Sequence, residues 1–120
     1  MSLRISVRHA RNVAVMDLNG RLTLGEPAGE LRDTLKDLLS RGQKNILLNL
    51  ADVGYIDSSG LGELVGGFAT VGNRGGRLKL LNVRERVHEL MQITKLYSVF
   101  EVFTAEGEAI DSFQERAASV

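Results

Sequence analysis

The sequence contains no cysteine. That excludes disulfides, thiolate metal sites and thiol catalysis together, and it suits a reducing cytoplasm. No charge of one sign dominates, because Lys and Arg total 15 and Asp and Glu total 15. The basic excess that marks nucleic-acid binders is missing, so nucleic acid is not an expected partner. No apolar run approaches the roughly 18 residues that a membrane span requires. The opening stretch, residues 1–9, is interrupted by charge every few residues, so it lacks the apolar segment of a signal peptide. No membrane partner is expected, and the expected location is cytoplasmic. There is a single proline, Pro27, placed where the first turn of a helix tolerates it. What is present is a 43% apolar chain of 120 residues, long enough for one core, and 1–120 reads as one domain.

Leu3, Ile5 and Val7 alternate with Arg4, Ser6 and Arg8, the period of a half-buried strand. Arg11-Asn12 makes a turn into an apolar strand over 13–18, which Asn19-Gly20 is expected to close. Residues 21–30 form a connector that becomes a helix, and Leu31, Leu35, Leu38 and Leu39 lie on one helical face. Gly42 is expected to end that helix. Ile46 to Leu50 is a short, nearly all-apolar strand of the kind covered on both faces. Asn49 is its exception, either at an edge or bonded to a neighbouring backbone group. Gly60 to Val71 has helical spacing at Leu61, Leu64, Val65, Phe68 and Val71. Its glycines at 60, 62, 66 and 67 each weaken a helix by up to about 1 kcal/mol relative to alanine, so close approach to a sheet or a partner should compensate. After a turn at 73–76 come a strand around Leu78, Leu80 and Leu81, a helix over 83–93, a strand over 99–103 and a helix over 105–113. Residues 114–120 are expected to fray. The order β-β-α-β-α-β-α-β-α predicts an α/β layer fold.

The chain centres on Tyr55-Ile56-Asp57-Ser58-Ser59-Gly60-Leu61-Gly62, where a strand hands over to a helix. The first N–H groups of a helix lack intrahelical partners and sit at the positive end of its dipole. Asp57, Ser58 or Ser59 could cap that end. Asp57 as the cap would leave the Ser58 hydroxyl facing outward. A phosphoryl group on Ser58 would add about −1.5 to −2 charge. A partner docking there would have to bury it, at several kcal/mol.

Catalysis has little support. A nucleophilic serine needs a base, and the two histidines, His9 and His88, fall on an edge strand and on the polar side of a helix. The nucleophile elbow fails because Ile56 stands two residues before Ser58. Neither the phosphate loop nor the dinucleotide fingerprint is present, and no metal-ligand spacing appears. The expectation is a binding module that is not an enzyme and carries no cofactor.

Residues 49–62 as a whole resemble the signature of bacterial anti-sigma factor antagonists, members of the STAS domain family. Leu18-Asn19-Gly20-Arg21-Leu22 and Gly75-Gly76-Arg77-Leu78-Lys79-Leu80 are similar to two further family segments. The resemblance implies a mixed sheet of four or five strands, with about four helices mostly on one side. It implies a partner that is both anti-sigma factor and serine kinase, and supplies the ATP. That partner would phosphorylate Ser58 and so be released, and a PP2C-type phosphatase would reverse the step. The implied partner-binding residues are Asp57, Ser58, Ser59, Gly60 and Leu61. Glu63 and Leu64 lie close by, although Leu61 and Leu64 read as core by periodicity, and Ser59 and Thr23 are further candidate acceptors. The family often has proline at the place of Val83 and glycine at that of Lys95. Some relatives use the fold as a non-switching scaffold or as an accessory subunit of transport.

Overall fold

The computed structural model describes residues 3–114, so the expected fraying of 114–120 falls, beyond Gln114, outside the described residues. The opening hairpin forms as expected. Strand β1 (Leu3–Ala10) pairs antiparallel with β2 (Val13–Leu22), from Leu3 opposite Gly20 to Ala10 opposite Val13. Arg11 takes φ 57 in the two-residue turn between them. Helix α1 spans Glu26–Ser40, β3 Asn45–Ile56, α2 Ser58–Asn73, β4 Arg77–Leu81, α3 Glu85–Ile93, β5 Val102–Phe103 and α4 Glu106–Ser112. The sheet order is β1-β2-β3-β4-β5, and every pair except the first is parallel. This is the expected mixed sheet, with five strands.

Two apolar layers follow from the period of two along the central strands. Ala14, Met16, Leu18, Ile46, Leu48, Leu50, Leu78 and Leu80 face the stripes of α1, α2 and α3 in the main core. Val13, Val15, Leu47 and Leu81 face the other way, onto Ala109, Ile110 and Phe113 of α4. Three helices therefore cover one face and the short α4 covers part of the second. Asn49 sits inside β3, where its side-chain oxygen accepts from the Ala51 N–H at 3.1 Å. Of its two expected roles it fills the backbone-bonding one. Among the described residues Lys79 is the buried cation, held by Ser112 Oγ at 2.8 Å and Glu101 at 2.9 Å.

Several boundaries differ from expectation. Asn19-Gly20 does not end β2. The register slips at Asp17–Asn19 and again at Gly20–Arg21, Gly20 takes φ 128, and the strand continues to Leu22. Such irregularities bend a strand without terminating it. β3 likewise runs six residues past Leu50, because its second half still pairs with β2 while β4 accompanies only Asn45–Asn49. The last strand is only two residues long. Together the extended β2 and β3 bring Leu22 opposite Ile56, beside the start of α2.

Helices α1, α2 and α3 end alike. Gly42, Gly75 and Lys95 have φ 82, 79 and 63, and in each case the next residue's N–H reaches back to the carbonyl of Leu38, Val71 or Met91. This is the left-handed helix stop that favours glycine. α3 is thus defined at its end despite Lys95, which occupies a conformation costing L-residues roughly 1–2 kcal/mol. Lys95→Gly is expected to raise stability by about 0.5–1 kcal/mol in urea unfolding, after glycine's larger entropy loss is subtracted. A loss of stability would show that the Lys95 side chain contributes contacts that outweigh the strain.

Arg8 ties the hairpin to α4. Its guanidinium donates to both Asp17 oxygens at 2.6 and 3.2 Å and to both Glu106 oxygens at 2.8 and 2.7 Å. These charge-assisted bonds hold the Asp17 and Glu106 carboxyls below their usual range and raise Arg8. Because the folded carboxyl values are depressed, the contribution is full above the unfolded values and is lost as pH falls through the folded ones. All three side chains are a third or more exposed, so the contribution is discounted for screening. Arg8→Gln is expected to cost about 1 kcal/mol at neutral pH, with the gap closing below about pH 4. Urea unfolding across that range checks it, and a gap independent of pH would contradict the ion-pair account.

Candidate functional site

The junction lies at the carboxyl ends of β2, β3 and β4, where open parallel sheets place their sites. Asp57 is the cap of α2 in extended conformation, φ −103 and ψ −179. One carboxylate oxygen accepts from the Gly60 N–H at 2.7 Å and the other from the Leu24 N–H at 3.1 Å. Its own N–H donates to the Leu22 carbonyl at 3.3 Å. Asp57 therefore fastens the β2–α1 connection to the first turn of α2. Asp57→Ala is expected to cost about 1–2 kcal/mol in urea unfolding, with faster hydrogen exchange at the Gly60 and Leu24 amides. Unchanged exchange at Leu24 would remove the fastening role.

Capping by Asp57 leaves Ser58, the first residue of α2, exposed, and its hydroxyl bonds to no described residue. Ser59 and Thr23 are half-buried. Gly60 and Leu61 are buried, with Leu61 2% exposed, and Leu64 is fully buried. These three shape the site from beneath and offer no side-chain surface. Glu63 is engaged by Arg32 at 2.7 Å.

Of the four α2 glycines singled out in the sequence, two have the expected close approach. A Cβ on Gly60 would lie 2.1 Å from the Leu22 oxygen, and one on Gly67 would lie 2.7 Å from Leu35 Cδ1. Gly62 and Gly66 face open space, and nothing in the structure explains them.

Ser58 opens onto a groove of about 370 Å³ between the start of α2 and α3, lined also by Tyr55, Ile56, Asp57, Arg86, Glu89, Leu90 and Ile93. No histidine lines it. A larger groove of about 580 Å³, around Phe68, Lys79 and Ser112, shares no residue with it. Among the described residues no group of three His, Asp or Glu could hold a metal ion, and no helix is long and apolar enough to cross a membrane.

The apolar surroundings of Ser58 were not among the sequence candidates. Leu24 is 73% exposed in the connection pinned by Asp57, and Ile93 is 77% exposed at the end of α3. Each is an aliphatic residue off its element's buried stripe, which is the one signal that could have singled it out. Arg21 and Arg86 lie over the Tyr55 ring at 4.6 and 5.9 Å.

A sequence model of the STAS domain matches residues 4–109. The chain is 34% identical over 102 residues to an anti-sigma-B factor antagonist of Bacillus subtilis, covering 85% of this chain and 92% of that protein. The crystal structure of a candidate anti-sigma factor antagonist of Thermotoga maritima superposes with TM-score 0.85 at 25% identity, covering 92% and 95% of the two chains. The Bacillus cell fate determinant SpoIIAA in its phosphorylated form superposes with TM-score 0.71 at 24% identity, covering 91% and 98%.

Proposed function

This chain belongs to the STAS domain family, with anti-sigma factor antagonists as its relatives, and from that premise we propose that it is a phosphorylation-switched antagonist with Ser58 as the acceptor. The unphosphorylated form binds an anti-sigma factor that is also a serine kinase, and sigma factor is thereby freed. Phosphorylation of Ser58 ends the binding, and a PP2C-type phosphatase restores it. The chain acts in the cytoplasm and catalyses nothing itself, and ATP belongs to the partner. The observation that carries this reading is the outward Ser58 hydroxyl, unbonded at the helix start, beside an Asp57 whose two oxygens are already engaged.

Ile93 lines the acceptor's groove, Leu24 is exposed in the connection that Asp57 holds, and both supply apolar surface for the partner. Apolar contact around a central polar group that must lose its water is a usual interface design. A dianion placed at that surface has to be desolvated on docking, and the loss of affinity follows. The test is incubation with the cognate kinase and ATP, followed by mapping of the modified residue by mass spectrometry. Phosphate on Ser58 alone is the expected result. Phosphate on Ser59, on Thr23 or nowhere would reject the assignment, and absence of phosphate with a large stable self-assembly would favour a scaffold.

A further inference from the structure

Among the described residues, Ser58 shares its groove with one cation, Arg86 of α3. Among the described residues Arg86 has no ion pair, although two carboxylates, Asp57 and Glu89, line the same groove. Both Asp57 oxygens accept backbone N–H groups, so that carboxylate is engaged. Glu89 lies three residues along α3 from Arg86 without an ion pair to it. The Tyr55 ring supports the Arg86 guanidinium at 5.9 Å, with Arg21 over the same ring at 4.6 Å. A guanidinium resting on an aromatic ring keeps its planar set of N–H donors available. A phosphoryl group offers three strong acceptor oxygens, a match for bidentate pairing.

We propose, resting on the reading of Ser58 as acceptor, that Arg86 is the phosphoserine's counter-ion within this chain. Pairing with Arg86 draws the phosphoryl group over Leu90 and Ile93, onto the surface a partner would use. It also withdraws Arg86 from any contact with that partner. The modification then blocks docking in two ways, by occupying the apolar floor and by consuming Arg86. Without the pairing, the phosphoryl group would swing into solvent and leave the floor open.

The test bypasses the kinase by encoding phosphoserine at position 58 and following its second ionisation by ³¹P NMR. A free phosphoserine titrates near pH 6. Arg86 favours the dianion, while Asp57 and Glu89 favour the monoanion. The wild-type midpoint is expected about half a pH unit or more below that of Arg86→Gln. Arg86→Lys should recover part of the shift, and Arg84→Gln, at the cap just before α3 and outside the groove, should leave it unchanged. Equal midpoints in wild type and Arg86→Gln would overturn the proposal, even if the kinase modifies Ser58 normally. A shift that depends on Arg86, in a protein the kinase fails to modify, would uphold the counter-ion role and remove only the assignment of function.

Discussion

Ser58→Asp is expected to lose at least about a hundredfold in affinity for the anti-sigma factor, roughly 2.7 kcal/mol, while Ser58→Ala binds within a few-fold of wild type. The asymmetry follows from two local facts. The Ser58 hydroxyl bonds to no described residue, so its removal costs the free protein little. A carboxylate at the first position of α2 lies where the helix dipole favours negative charge. The aspartate variant should therefore melt at or slightly above the wild-type temperature while failing to bind. A stable fold with lost binding separates charge exclusion from misfolding. Calorimetric titration of both variants into the kinase, with nucleotide present, reads the result. Binding of Ser58→Asp within tenfold of wild type would end the charge mechanism.

Gly60→Ala is expected to destabilise the fold by about 3 kcal/mol or more, a fall in melting temperature of roughly 10 °C for a chain of this length. The added Cβ would meet the Leu22 oxygen at 2.1 Å, the Leu22 carbonyl carbon at 2.8 Å and Ile56 Cγ1 at 3.0 Å. Two of those atoms are backbone, held by the pairing of Leu22 with Ile56 and by the bond from the Asp57 N–H. Relief would require α2 to move away from β2, and that would open the capping site. Gly66→Ala provides the contrast, since nothing lies within 4 Å of its Cβ. It should gain about 0.5–1 kcal/mol from helix propensity alone. Gly67→Ala falls between, because the tip of Leu35 can rotate aside. Equal melting temperatures for Gly60→Ala and wild type would mean that α2 does not rest on Leu22.

The expectations that held are those with strong periodicity. The leucine stripe of α1 is buried at all four positions, and the alternation of β1 and the apolar run of β3 each became a strand. Asp57 is the cap, one of three candidates that spacing left open. Strand ends were the weak point. Asn19-Gly20 carries the chemistry of a turn, yet cross-strand pairing on both sides holds those residues in the sheet. Gly54 and Asp52 disguised the second half of β3, which pairs on one side only.

The order of elements, the two-sided burial of β3 and the position of the Asp57–Ser58 junction were all determined by the sequence alone. Each depends on local periodicity or on capping chemistry within a few residues. Which surface surrounds Ser58 was decided only by the tertiary structure. Leu24, Tyr55 and the pair Arg86 and Ile93 come from three separate segments, the β2–α1 connection, β3 and α3. They converge because parallel strands deliver successive connections to one end of the sheet, and no pattern along the chain encodes distances between residues so far apart in it.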